Sequence, residues 1–323
     1  MSSTSATAAY ISSLQYTSGE ITLSMSIVIL VSGIVGNVLN CFVFTQQCLR
    51  SKPCVLCFLL ASIFNLIAIV SGVPPRALQS WFMISDQTET VPVLCKLRIF
   101  VLFTSRTIAS WLLSLATIDR YLISSRNLRR RQLSTRRNVF LSMLIISILS
   151  LLFWAETIYC FDANLVGTPQ KCYAKSDTCR VFNDLSQSLI TTVIPVIVIF
   201  IFGLFTISHV RDSRKIQVSQ ITATNNSTRR NKKDERSLTL MLVAQCLLLT
   251  IFTFPQAVQK CYLTYTFYQT KSSTQKVLES LLFNFVLLLT YIPSCMPFYL
   301  YTITGTVFRK TLITLVKKIT CSV

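Results

Sequence analysis

Residues 95–121 read CKLRIFVLFTSRTIASWLLSLATIDRY, and the fold is decided by how this stretch must be housed. Arg120 lies 25 residues after Cys95, and a helix rising 1.5 Å per residue covers about 37 Å over that distance. This exceeds the ~30 Å hydrocarbon thickness of a bilayer. Most positions are apolar, yet the segment also carries Lys96, Arg98, Arg106, Asp119 and Arg120. Ionisable side chains at membrane depth face protein or water rather than lipid. The stretch therefore calls for other transmembrane helices around it.

The rest of the chain supplies them. Apolar segments run over 21–47, 55–79, 93–123, 138–161, 185–210, 236–264 and 276–303. Each is long enough to cross a bilayer as a helix, the conformation in which the backbone satisfies its own hydrogen bonds. The expected fold class is all-α, a seven-transmembrane helix bundle. Composition agrees, since 13% of the 323 residues are charged against roughly 25% in a soluble domain. His209 is the single histidine, so a Ser-His-Asp or Cys-His unit is excluded unless it serves, and a multi-histidine metal site is excluded outright. No enzyme activity, cofactor or metal is expected.

A net charge of +19 invites a nucleic-acid reading, but the basic residues lie mostly between apolar runs. Two of them precede the second span, six arginines lie between 126 and 137, eight basic residues between 211 and 236, and four between 309 and 318. Together these are 20 of the 31 lysines and arginines, and only Asp212, Asp234 and Glu235 oppose them. By the positive-inside rule these loops and the C-terminus are cytosolic and the N-terminus is outside. The expected localisation is the plasma membrane, with membrane lipid as surroundings and no nucleic acid as partner. On this orientation the sequons at Asn225 and Asn226 are cytosolic and receive no glycan.

The ends of the chain differ in character. Residues 1–20 are rich in Ser, Thr and Ala without Lys or Arg, and read as an extracellular disordered tail ahead of a membrane domain over 21–304. Residues 305–323 follow Gly305 and mix Phe308, Leu312, Ile313, Leu315 and Val316 with Arg309, Lys310, Lys317 and Lys318. This pattern predicts a short amphipathic helix on the inner leaflet. Cys321 at its end is either a palmitoylation site or an exposed thiol. On the oxidising side stand Cys95, Cys172 and Cys179. A bridge from Cys95 would tether the 162–184 loop; Cys172 is the preferred partner because 23 residues to Pro195 leave room for a hairpin, with Cys179 the alternative.

Asp119-Arg120-Tyr121, placed one membrane crossing after Cys95, resembles the signature of rhodopsin-like (class A) G-protein-coupled receptors, and the resemblance covers all seven spans. It includes Gly36-Asn37 in the first span, Pro195 in the fifth, Pro255 in the sixth, and Tyr301, Gly305 and Phe308-Arg309 at the end of the seventh. The resemblance implies that Arg120 is the switch, held at rest by Asp119 and by Glu235, twenty residues before Pro255. Together with Tyr121 and Tyr301 these residues make the G-protein switch.

The departures from the family pattern are as informative. Asn65 stands where the family usually has its sodium-binding Asp, Ala109 where it has Ser, and Pro297-Phe298 where it has Asn-Pro. Thr253 replaces the sixth-span tryptophan and Gly203 a fifth-span tyrosine, while Trp154 is misplaced for the fourth-span tryptophan. No bound Na⁺ is expected. Leu102 takes the acidic anchor position of amine receptors and Tyr291 the Schiff-base position of opsins, which argues against both ligand classes. The outer bundle offers Arg98, Arg106, Glu156, Gln256 and Gln259, with Tyr262 and Tyr265 at the rim. Arg106 either meets an anionic group of a ligand or pairs with Glu156 or a polar neighbour. The resemblance is strongest to neuropeptide-type receptors, with an extracellular peptide or other small ligand and a heterotrimeric G protein as partners. The rival reading is a seven-span channel or transporter, for which no internal repeat is visible.

Overall fold

The computed structural model describes residues 2–50, 52–82, 87–125, 127–165, 170–218, 226–266 and 269–320. Seven helices are long and apolar enough to cross a membrane: Ala9–Phe44, Pro53–Leu78, Pro92–Ser124, Arg136–Cys160, Asp177–Thr206, Thr239–Tyr265 and Ser273–Cys295. They pair one to one with the seven expected spans. The chain is a multi-pass membrane protein built as a seven-helix bundle.

The charged third span takes the centre, as its composition demands. Two thirds (67%) of its most apolar window is buried, against 22% for the fourth span. The fourth span accordingly leaves Phe140, Leu149 and Leu152 on the outside of the bundle, the surface that lipid covers. Helix starts follow local chemistry. Pro53 and Pro92 occupy first turns, where a missing N–H costs nothing. Thr135, Ser176 and Ser272 cap their helices by accepting from the backbone N–H groups of Asn138, Cys179 and Gln275, each worth about 1 kcal/mol.

Near the Arg120 end, Phe44, Phe58, Tyr301 and Phe308 form one aromatic cluster with ring centroids 5.3–5.9 Å apart. It joins the first, second and seventh spans to the helix Thr306–Thr320, which follows Gly305 as expected. At the opposite end the first helix begins at Ser2, where the sequence reading expects a disordered tail. The hydroxyls of Ser12, Ser13 and Thr17 donate back to the carbonyls of Ala9, Tyr10 and Ser13, and no proline interrupts the stretch, so the helix carries through.

The fifth span contains a π-helical stretch, Gln187–Val193, ahead of Pro195. In that register the carbonyl of Ile190 would face the N–H of residue 195, which proline lacks. The indole of Trp111, on the third span, donates to Ile190 O at 3.0 Å and fills the gap. At the Cys95 end a short hairpin pairs Phe161–Asp162 with Tyr173–Ala174. Cys172 of this hairpin is bonded to Cys95, the preferred pairing.

Cys179, the alternative partner, is instead bonded to Cys160. Sequence reading placed Cys160 inside the fourth span and so missed this bridge; the fourth helix in fact ends at Cys160, on the same side as the hairpin. Mass mapping of the purified, non-reduced protein should recover two cross-linked peptide pairs, Cys95 with Cys172 and Cys160 with Cys179. A Cys95–Cys179 peptide would refute the arrangement. Removing Cys160 and Cys179 together should lower thermal stability by about 2–4 kcal/mol.

Candidate functional site

The third span brings two arginines into the bundle, one near each end. At the Asp-Arg-Tyr end, Arg120 and Asp119 are 3% and 1% exposed, with Nη2 of Arg120 3.3 Å from Oδ2 of Asp119. The other carboxylate oxygen, Oδ1, accepts from the Ser134 hydroxyl, which lies beyond the short helix Leu128–Leu133. A charge-assisted pair of this kind is strong while it is kept dry. Tyr121 packs its ring against Phe202 and Phe205 of the fifth span and accepts from Arg130 at 2.6 Å. Tyr301 is buried in the aromatic cluster. The side chain of Glu235 lies outside the described residues, as do Asn225, Asn226 (its side chain) and Cys321.

At the Cys95 end, a cavity of about 60 Å³ lies beneath the disulfide-tethered hairpin. Its wall brings together Leu102, Arg106, Gln256 and Tyr291 of the expected pocket residues. It adds Arg76, Arg180, Asp184 and Lys260, which the sequence reading did not include. Arg98 instead donates to Thr88 at 2.9 Å and lines a separate hollow between the second and third spans. Glu156 accepts from Asn183 at 3.4 Å and, like Gln259, does not contribute to the wall. Tyr262 hydrogen-bonds Glu279 at 3.3 Å toward the rim.

Lys260 is the main omission. Arg106 and Glu156 were the intramembrane pair considered from sequence, yet Nζ of Lys260 sits 2.8 Å from Oδ1 of Asp184, both side chains about nine-tenths buried. The same ammonium donates to Gln187 Oε1. The pair ties the sixth span to the start of the fifth. Asp184 had been assigned to the loop, and so was not considered as an intramembrane partner. The cavity roof is polar but neutral where Tyr173 enters it. Burial first and Asp184 second push its phenol well above the ordinary value, with Arg180 only partly offsetting them, so the hydroxyl stays protonated.

In this structure Arg106 meets two polar neighbours on the seventh span. Its Nη2 donates to the carbonyl of Thr290 at 3.0 Å, and its guanidinium carbon lies 4.8 Å from the centroid of the Tyr291 ring. The Tyr291 ring fits because Gly72 opposite has no side chain; a methyl there would collide with the tyrosine hydroxyl and with Leu102. Below Arg106 a smaller cavity of about 30 Å³ is lined by Asn65, Ala109, Ser110, Gln245 and Ser294 among others.

A membrane bundle of seven helices, with a disulfide-tethered hairpin over a cavity at one end and a buried Asp-Arg pair at the other, is the architecture of a transmembrane receptor. The family described as 7 transmembrane receptor (rhodopsin family) matches residues 36–301, so the chain belongs to the rhodopsin family of G-protein-coupled receptors. Membership implies coupling to a G protein and an extracellular ligand. A comparison with curated proteins gives no match.

The family's sodium site does not fit these residues. The smaller cavity has Asn65 where a carboxylate would anchor the ion, carries no Asp or Glu in its wall, and already adjoins the guanidinium of Arg106. A hard cation needs oxygen ligands with negative charge nearby, and a fixed cation at that distance repels it. Exchanging Na⁺ for K⁺ at constant ionic strength should therefore leave the melting temperature of the purified receptor unchanged, and a sodium-specific rise would refute the argument. The Lys260–Asp184 pair offers a second check. Asp184→Leu strands a buried ammonium and should cost about 3–5 kcal/mol, whereas adding Lys260→Met should recover most of it. Equal melting of the single variant and the parent would show that the pair contributes nothing.

Proposed function

We propose that the chain is a plasma-membrane receptor with its N-terminus outside, which takes an extracellular peptide at the Cys95 end and activates a heterotrimeric G protein at the Arg120 end. The observation that carries this reading is the buried Asp119–Arg120 pair at the foot of the most buried span. The basic residues Arg129, Arg130, Arg131, Arg136 and Arg137 surround that end and offer a positive surface to a partner.

In the resting arrangement Asp119 holds the guanidinium and Ser134 holds Asp119. Outward movement of the sixth span, hinged at Pro255, would open the pair toward the G protein, with Glu235 as a second acidic restraint released by the same motion. Ligand drives this only by binding the open arrangement better than the closed one. The polar rim above the cavity and the tethered hairpin favour a peptide over a small lipophilic ligand, and the missing acidic anchor at Leu102 disfavours an amine.

Arg120→Ala should abolish receptor-stimulated nucleotide exchange on a reconstituted G protein, while surface expression falls less than twofold. Exchange at the parent rate would overturn the assignment of the switch.

A further inference from the structure

We propose that the deep end of the ligand is a carboxylate, bound by Arg106. The inference rests on the reading that the cavity beneath the hairpin receives the extracellular ligand. Four cations, Arg76, Arg106, Arg180 and Lys260, line that cavity against one carboxylate, Asp184. Asp184 is engaged by Lys260, and the charge of Glu89 reaches Arg76.

Arg106 is placed differently. It is the deepest of the four and adjoins both cavities. Among the described residues its partners are a backbone carbonyl and the face of a tyrosine ring, both neutral. A guanidinium has five N–H donors in a planar fork that matches a carboxylate edge to edge. Burying that charge against neutral groups alone is expensive, and an arriving anion offsets the cost.

Gln256 supplies the independent observation. It is 6% exposed and lines the same two cavities, and its Nε2 has no hydrogen-bond partner. A buried amide donor left open beside a guanidinium is complementary to an oxygen carrying negative charge. Size narrows the group further. A cavity of about 60 Å³ has room for a few water-sized groups, one water needing ~10–15 Å³ of such volume. It holds the terminal carboxylate of a ligand, and leaves the remainder to extend past Lys260 and the hairpin. A ligand ammonium would meet repulsion from the same wall.

The test uses the full-length receptor in detergent and reads ligand-dependent melting temperature, which needs no G protein. It therefore fails or succeeds independently of the Arg120 experiment. The probes are 3-phenylpropionate, its uncharged amide, and phenyl phosphate. Expected is a dose-dependent rise with the carboxylate that the amide does not give. Arg106→Gln should weaken the apparent affinity for the carboxylate about ten- to a hundredfold, the loss typical of a charged hydrogen bond. Arg106→Lys, which keeps the charge without the fork, should fall between the two and still prefer carboxylate to amide. That ordering carries the test if the glutamine variant does not fold. Equal stabilisation by acid and amide, no stabilisation by the acid, or an unaltered response in either Arg106 variant would overturn the proposal. Stronger stabilisation by phenyl phosphate than by the carboxylate would overturn the choice of anion.

Discussion

Three carbonyl groups of the seventh span accept hydrogen bonds from side chains of three other spans, and much of the bundle is arranged to make this so. Thr290 O accepts from Arg106 of the third span, Pro293 O from Gln245 of the sixth, and Ser294 O from Asn37 of the first. The need arises from the sequence of the seventh span itself. Pro297 has no N–H for the carbonyl of Pro293, and the N–H of Ser294 turns back to Tyr291 instead of Thr290. In a membrane an orphaned carbonyl costs several kcal/mol because no water is at hand to take it. The interruption is thus tolerated only because long polar side chains from neighbouring helices converge on it.

The same requirement explains why Asn37, Gln245 and Arg106 are where they are. Each is a polar or charged residue on an otherwise apolar helix, and each is buried with its donor spent on a broken backbone. The third span contributes twice, since Trp111 serves the fifth-span carbonyl of Ile190 in the same manner. A helix that props two irregular neighbours has to be central. Its burial follows from this role as much as from its own charges.

How much of this was legible in the sequence divides along physical lines. Segments that depend on their own composition were legible. The seven spans, the terminal amphipathic helix, and a cysteine at the top of the third span facing the hairpin could be read from runs and spacing. Relations between segments far apart in the chain were less so. Lys260 and Asp184 are 76 residues apart, and Asp184 reads as a loop residue until the fifth helix is seen to begin at Asp177. Cys160 was hidden by the opposite error, a helix end taken for a helix interior. The partner of Arg106 was illegible in principle, because a break in a helix frees a backbone carbonyl whatever side chain stands there. The departures at Asn65, Ala109 and Pro297-Phe298 were visible as departures, but that Arg106 adjoins the same small cavity as Asn65 and Ala109 became clear only in the structure.

A fixed cation beside that cavity bears on the physics of the bundle centre. A bound sodium ion exchanges with solvent and responds to its concentration, whereas a guanidinium tethered to the third span does neither. Its position is set by one hydrogen bond to a carbonyl on the seventh span and a cation–π contact with Tyr291. Any anion reaching Arg106 from the cavity above draws on the same guanidinium that serves Thr290. Taking up the guanidinium would leave that carbonyl open again, at the cost of several kcal/mol that an orphaned carbonyl carries in a membrane. The cost falls on the stretch of the seventh span that is already interrupted. The charge that makes the third span awkward to bury therefore connects the cavity to an interrupted stretch of the seventh span, through one side chain.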